Sequence, residues 1–416
     1  MHCGLDFGTS NSALGVVTRD GGVRLLPMEG SSAILPSAIF YDSLGQPRAV
    51  GRAAIASYMD EEPGRFMRSM KSVLGTGLMG EQTGIGAQRV SYDTVLEHFI
   101  VEIKRRAETA LGRSLDAVVC GRPVYFNDDD PTLDERAEQM LRSVLHDAGF
   151  ERVVFQLEPI AAARHFETAA TQETLALIAD IGGGTSDFTL VRIRGRGGAE
   201  PSELLASHGV HIGGTDFDQR LSLHSVMPLL GKDAALPGRG LPAPIWIYLD
   251  LASPSRIAWL NSRENLTHIR TLTSAARSDA RFVRLAEVMR RRLGHHIAHD
   301  VERAKIALSE LPATTLELDY VESGLALAIQ RADLAGAIEG ELERLRETVR
   351  ECLRRASTPP GAVGLTVLTG GSTEMPLVRA AITSVLPHAR LESCDRFGAV
   401  AAGLALQAGE AFADSG

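Results

Sequence analysis

Apolar and polar residues alternate along the first half of the chain in two different periods. Short apolar runs predict β-strands, at 3–8, 12–19, 22–28, 117–120 and 152–157. Apolar residues that recur about every four positions predict amphipathic helices, at 95–111, at 131–148 and from Pro159 onward. Gly112 and Gly149 follow the first two helices, as is usual where a helix ends.

The second half of the chain repeats this order of elements. Strands are predicted at 175–181, 187–194, 203–212 and 363–368, and helices at 280–310 and 334–353. Residues 231–275 are rich in Pro, Gly and Ser, which favours an insertion with loops. The repeat predicts an α/β protein with an internal duplication: lobe I at 1–172, with 395–416 packing back on it, and lobe II at 173–394, with an inserted subdomain at about 216–300.

Each half contains the same glycine-rich turn between two strands. Asp6 is followed by Gly8, Thr9, Ser10 and Asn11, and Asp180 is followed by Gly182, Gly183, Gly184 and Thr185. Such turns let backbone N–H groups approach an anion, and an aspartate at the strand end can hold the water shell of Mg²⁺. Two such turns facing each other would grip one polyphosphate, so the sequence predicts a two-lobed, magnesium-dependent nucleotide-binding protein.

Composition narrows the class of protein further. A length of 416 residues allows roughly two to four compact units. The net charge of −9 and the aromatic content of 5% argue against binding to nucleic acid. The four cysteines lack paired spacing, and neither a secretion signal nor a membrane-length apolar run is visible. We therefore expect a cytoplasmic protein with no nucleic-acid or membrane partner.

Five segments in order resemble the actin-like ATPase superfamily and, within it, the nucleotide-binding domain of the 70-kDa heat-shock chaperones. The resemblance extends over nearly the whole chain and rests on the segments 6–12, 158–163, 180–187, 370–373 and 395–403. The resemblance implies a duplicated, RNase H-like fold with two lobes around a nucleotide cleft. It is greatest to a short branch without a peptide-binding domain, since the chain stops at Gly416.

The resemblance also implies roles for residues near the phosphates of ATP. Lys71, in a segment similar to the family's lysine segment, would place a positive charge beside the γ-phosphate. Glu158 or Asp180 would polarise the attacking water, while Asp6 and Asp187 would anchor hydrated Mg²⁺. Phosphate oxygens would be held by the turn residues named above, and Gly213 and Gly214 resemble a loop near the γ-phosphate, although a plain turn and helix cap remains an alternative.

On the adenosine side the family pattern is matched only in part. Residues similar to those that hold ribose and base in the family are Glu302, Lys305, Ser309, Gly370, Gly371, Ser372 and Asp395. Ile306 and Glu374, however, stand where the chaperones have arginines that stack on adenine. Losing such a contact removes about 1 kcal/mol, so we expect weaker nucleotide affinity or altered base selectivity.

Three functions remain open. The first is a slow ATPase that binds ATP, ADP and Mg²⁺ and couples lobe opening and closing to an unknown protein partner or co-chaperone. The second is a small-molecule kinase of the sugar-kinase type, and the third is a non-hydrolysing nucleotide sensor.

The arginine and histidine cluster at 290–299 is interpreted as a solvated helix face rather than a metal or nucleic-acid site.

Overall fold

The structure is a computed structural model that describes residues 1–60, 62–85, 88–127, 130–167, 172–194, 202–236, 240, 242–260, 262–393 and 398–413. None of the helices in these ranges combines the length and the apolar character that crossing a membrane requires.

The first half contains one large sheet, two small ones and four α-helices within the described residues. Its strands are β1 (His2–Phe7), β2 (Asn11–Val17), β3 (Val23–Leu25), β4 (Leu35–Pro36), β5 (Ala38–Asp42), β6 (Pro47–Val50), β7 (Gly64–Arg68), β8 (Gln82–Ile85), β9 (Gln88–Ser91), β10 (Ala117–Arg122) and β11 (Arg152–Leu157). Its helices are α1 (Arg52–Met59), α2 (Tyr92–Leu111), α3 (Pro131–Asp147) and α4 (Glu158–Glu167).

The second half is richer in helices. Its strands are β12 (Thr174–Ile181), β13 (Ser186–Ile193), β14 (Glu203–Val210), β15 (Ala313–Glu317), β16 (Ala326–Gln330), β17 (Leu365–Thr369) and β18 (Arg390–Ser393). Its helices are α5 (Gly214–Leu221), α6 (Ile245–Leu251), α7 (Ile257–Leu260), α8 (Arg263–Ala275), α9 (Ala280–Arg291), α10 (Gly294–Glu310), α11 (Arg331–Arg355), α12 (Pro376–Val385) and α13 (Gly398–Ala411).

The main sheets of the two halves have the same strand order. The first runs β3-β2-β1-β10-β11, and the second runs β14-β13-β12-β17-β18. In each, the first three strands in sequence are antiparallel and the last two extend the sheet in parallel. The duplication predicted from the repeated pattern is therefore confirmed, and we call the parts built around these sheets lobe I and lobe II.

The last helix joins the end of the described chain to lobe I. Helix α13 packs on β1, β2 and β10 and crosses α4, around a small apolar cluster that includes Ala161, Leu404 and Phe412. The crossing is very close, because a Cβ built on Gly403 would lie 1.8 Å from the carbonyl oxygen of Ala161. Only a glycine admits a backbone contact of this kind.

One local prediction was incomplete and another was wrong. Residues 231–275, predicted as an insertion with loops, also contain α6, α7 and α8, because apolar residues such as Ile247, Tyr248 and Leu251 are spaced to bury one face of a short helix. The single helix expected over 280–310 is two helices, α9 and α10. They part at Arg292, which adopts a left-handed conformation with φ 58°.

Candidate functional site

The two glycine-rich turns meet across the interface between the lobes. A Cβ built on Gly183, in the turn of lobe II, would lie 2.6 Å from Oγ of Ser10, in the turn of lobe I. Each turn directly follows the central strand of its sheet, β12 in one lobe and β1 in the other. The duplication therefore places two backbones rich in N–H groups face to face, as the sequence predicted.

The turn of lobe II is tied to two other segments that we expected near the nucleotide. The N–H of Gly182 donates to Thr185 O at 2.9 Å. The carbonyl oxygen of Gly182 accepts two hydrogen bonds, from Gly214 N at 3.0 Å and from Ser372 Oγ at 2.9 Å. Gly183 O accepts from Thr215 N at 2.7 Å. Residues 182–185, 213–215 and 370–372 thus form one hydrogen-bonded unit, although they are far apart in sequence.

A cluster of charged side chains lies beneath the facing turns. Lys71, in the short 3₁₀-helix Met70–Val73, forms an ion pair with Glu158, the first residue of α4, and both side chains are largely buried. Asp6 and Asp180 lie close enough to this pair, and to each other, to interact electrostatically. Asp187 is the cross-strand neighbour of Asp180. The structure therefore brings together four of the five charged residues expected at the phosphates and places the fifth, Asp187, on the strand beside Asp180.

Burial, followed by repulsion from neighbouring carboxylates, raises the pKa values of two aspartates in this cluster. Burial, together with the charges of Glu158 and Asp180, raises the pKa of Asp6 to about 8. Burial and Glu158 likewise raise the pKa of Asp180 to about 6. Burial alone would lower the pKa of Lys71, but the charges of Glu158 and Asp6 outweigh it and raise that pKa. One lysine faces several carboxylates, and the arrangement fits an additional cation.

The adenosine-side residues cluster around one buried ion pair. Nζ of Lys305 donates to Asp218 Oδ2 at 2.9 Å and to Gly214 O at 3.0 Å. A Cβ on Gly214 would lie 2.7 Å from Ser372 Oγ, so helix α10, the Gly213–Gly214 turn and Ser372 adjoin one another. Glu302 lies close enough to influence Asp218, and the hydroxyl of Ser309 donates to Lys305 O at 3.5 Å.

The two departures from the family pattern lie on this side of the cleft. Ile306 follows Lys305 on α10 and is 59% exposed. Glu374 pairs with Arg379 at 3.1 Å, and the guanidinium of Arg379 also donates to Thr373 O. Asp395 is not among the described residues, so its expected role stays a prediction.

Three residues beside the site were missed from the sequence. Asp218 and Ser37 form hydrogen bonds to residues of the site, and Arg68, on β7 of lobe I, lies near Asp218 of lobe II. Asp218 lies four residues after Gly214, and the resemblance of Gly213 and Gly214 to a loop near the γ-phosphate was a signal that pointed to this part of the chain. Ser37 and Arg68 carry no periodicity or motif that would have singled them out.

The histidine cluster was only partly described by the solvated-face prediction. Arg290, Arg291 and Arg292 are exposed, but the ring of His295 meets Tyr58 of lobe I edge-on, with 5.0 Å between ring centroids. Burial lowers the pKa of His295 to about 4, helped by His296 and Arg68. The prediction failed here because the contact joins α10 to α1, which are distant in sequence.

The same residues and strand order can be compared with known proteins. The family model described as "Hsp70 protein" matches residues 2–233 and 286–412. The chain belongs to the Hsp70 family. Its two equivalent sheets are the actin-like ATPase fold of that family, as the sequence resemblance implied. Residues 234–285, which include α6, α7 and α8, lie outside the match.

Curated members of the Hsp70 family align with almost all of this chain. The chaperone protein DnaK of Thermotoga neapolitana is 26% identical over 414 residues, which cover 97% of this chain and 58% of the relative. DnaK of Thermotoga petrophila gives the same identity and coverage. The chain thus spans little more than half the length of these relatives.

Proposed function

We propose that this chain is a Mg²⁺-dependent ATP-binding protein that hydrolyses ATP slowly and couples the movement of its lobes to a protein partner or co-chaperone. The observation that carries the proposal is the contact between the turns at Ser10 and Gly183, with a charged cluster beneath it. A polyphosphate held there would contact both lobes at once, so its binding and release would depend on their separation.

In this proposal the turns bind phosphate through backbone and hydroxyl donors. The backbone N–H groups of Gly182, Gly183 and Gly184, with the hydroxyls of Thr9, Ser10 and Thr185, would hold the oxygens. Gly213 and Gly214 would lie beside the γ-phosphate. Preorganised donors of this kind stabilise the charge that develops during phosphoryl transfer without reorganising.

The charged cluster would supply the rest of the chemistry. Glu158 or Asp180 would orient and polarise the attacking water, and Lys71 would lie beside the γ-phosphate as a positive charge. Asp6 and Asp187 would hold hydrated Mg²⁺, which would neutralise part of the phosphate charge. The raised pKa of Asp6 supports this, because a carboxylate cluster short of positive charge gains most from binding a cation.

We propose that the base subsite binds nucleotide less tightly than a subsite with two stacking arginines would. Glu302, Lys305, Ser309, Gly370, Gly371 and Ser372 would contact ribose and base. Ile306 and Glu374 offer no cation to stack on the ring, and Glu374 is engaged by Arg379. A cytoplasmic location and the absence of a nucleic-acid or membrane partner belong to the same proposal.

Single-turnover ATP hydrolysis tests the proposal. Lys71→Met removes the charge but keeps most of the side-chain volume, and we expect the rate constant to fall by about 10²–10³-fold. The matched control is Lys104→Met, which breaks another partly buried lysine–glutamate pair, with Glu108 on α2, away from the cluster. It should hydrolyse ATP at the wild-type rate.

Binding measurements on the same proteins separate the alternatives. Titration with ATP and GTP, with and without EDTA, should show metal-dependent binding in the wild type and in both variants. Binding without hydrolysis would favour a nucleotide sensor, and phosphoryl transfer to an added sugar would favour a kinase. Equal hydrolysis rates in the wild type and Lys71→Met would contradict the proposed role of Lys71.

A further inference from the structure

Ser37 connects two parts of the candidate site that lie far apart in the sequence. It follows β4 and is 1% exposed. Its hydroxyl donates to Gly8 O at 2.7 Å and lies 2.9 Å from Ser12 Oγ, and its N–H donates to Ser10 O at 2.9 Å. Two of its hydrogen bonds therefore end in the glycine-rich turn of lobe I, and a third ends at Ser12 on β2, directly after that turn.

The fourth hydrogen bond of Ser37 leads to the lysine segment. Its carbonyl accepts from Ser69 N at 3.2 Å, and Ser69 is the residue from which the 3₁₀-helix with Lys71 begins. Ser69 has φ 57°, a left-handed conformation that is unfavourable for a serine. Such a conformation persists only where neighbouring contacts hold it, and the bond from Ser37 is one of these contacts.

The hydroxyl protons around Ser37 can be assigned. A carbonyl only accepts, so the single hydroxyl proton of Ser37 goes to Gly8 O. The hydroxyl of Ser12 must then donate to Ser37 Oγ. Removing the hydroxyl of Ser12 leaves the Ser37–Gly8 bond in place, whereas removing that of Ser37 abolishes both bonds.

The bond to Gly8 fixes the direction of a backbone donor. In a trans peptide the C=O of one residue and the N–H of the next point in opposite directions. Because Gly8 O points at Ser37, the N–H of Thr9 points away from it. Ser37 itself is too deeply buried to touch a nucleotide, so any effect on one must act through this turn and through Lys71.

We propose that Ser37 is a positioning residue that holds the phosphate-binding turn of lobe I and the Lys71 segment in a fixed relation to each other. The inference rests on the proposed function. It adds that one buried residue anchors both segments, the turn through its hydroxyl and N–H and the lysine segment through its carbonyl. Loss of the hydroxyl would reach the lysine segment by letting the backbone of Ser37 shift. The turn and the lysine segment then move as one unit.

The test compares Ser37→Ala with the matched variant Ser12→Ala, which also removes one buried hydroxyl. In single-turnover hydrolysis we expect Ser37→Ala to lose at least ten-fold in rate constant relative to Ser12→Ala. Its Kd for ADP should change less than three-fold, because ADP lacks the γ-phosphate beside which Lys71 is proposed to lie. Similar melting temperatures with different rate constants would support positioning, and equal rate constants would overturn it.

Hydrogen exchange in the nucleotide-free protein separates this inference from the proposed function. Ser37→Ala should accelerate amide exchange in both 8–12 and 69–72, whereas Ser12→Ala should leave 69–72 unchanged. If the wild type does not hydrolyse ATP, the proposed function fails and this exchange pattern alone decides the role of Ser37. Unchanged exchange at 69–72 in Ser37→Ala overturns the inference. If Ser37→Ala does not fold, Ser37→Cys, which keeps a weak donor, replaces it with the same criteria.

Discussion

Asp6 is a buried carboxyl group whose negative charge weakens the fold. Its pKa of about 8 lies far above its ordinary value of 3.8, because burial and the carboxylates of Glu158 and Asp180 disfavour its charge. The folded protein therefore binds a proton at Asp6 more tightly than the unfolded chain does. Between about pH 4 and pH 8 this difference makes the folded state progressively less stable as pH rises.

We predict that Asp6→Asn raises the melting temperature of the metal-free protein at pH 8.5. The amide keeps the shape of the side chain and removes the charge that is costly at that pH. At pH 5.5 Asp6 is already protonated in the folded state, so the variant should gain little there, and this condition serves as the internal control. Thermal unfolding at both pH values, in EDTA, measures the effect.

The opposite result has a clear meaning. If Asp6→Asn melts at a lower temperature than the wild type at pH 8.5, Asp6 is stabilised by its neighbours rather than opposed by them. The inferred excess of negative charge would then be wrong, and so would the argument that the cluster fits a cation.

At the scale of elements, the connecting helices α4 and α13 depend on glycine. Besides Gly403, whose Cβ would clash with Ala161 O, Gly4 on β1 allows close contact with α13, where a Cβ would lie 2.2 Å from Ala405 N. These contacts involve backbone atoms, which cannot move aside as the end of a flexible side chain can. Helix α13 can therefore lie directly against both α4 and the central sheet of lobe I.

Gly403→Ala should be severely destabilising, by about 4 kcal/mol or more, because the added methyl group meets backbone. The matched control is Gly336→Ala on α11, where a Cβ meets nothing within 4 Å. That change should stabilise the protein by about 0.5–1 kcal/mol, the usual helix preference of alanine over glycine. Chemical denaturation of both variants measures the difference, and similar free energies of unfolding would contradict the close crossing.

Features of the structure could be predicted from the sequence where the residues that form them lie close together in the chain. The strand–turn–strand units at Asp6 and Asp180 were predictable, because alternation and glycine lie within about a dozen residues. The break at Arg292 was not, since the periodicity of α9 continues into α10. The pairing of Asp218 with Lys305 joins α5 to α10 across 87 residues. Its two partners look like ordinary charged positions until the fold brings them together.

At the scale of the whole molecule, the lobes touch at the edge of the cleft as well as at the turns. Tyr58 on α1 stacks on Phe66 of β7 at 4.6 Å, and His295 on α10 meets Tyr58 edge-on. Arg68, also on β7, lies near both His295 and Asp218. A nucleotide bound between the lobes could leave only after such contacts separated, so their strength should influence its release.

We predict that release of ADP quickens as pH falls from 7.5 to 5.5, by up to about ten-fold. Between the lobes the pKa of His295 is about 4, whereas in an open cleft it would return towards its ordinary 6.5. Protonation in this window therefore favours opening. Stopped-flow dissociation of a fluorescent ADP measures the rate.

Asp218, Asp180 and Asp6 also titrate near this range, so His295→Gln, which keeps a neutral side chain, is the discriminating variant. It should remove most of the acceleration, and an unchanged pH profile in His295→Gln would assign the effect to the carboxylates instead.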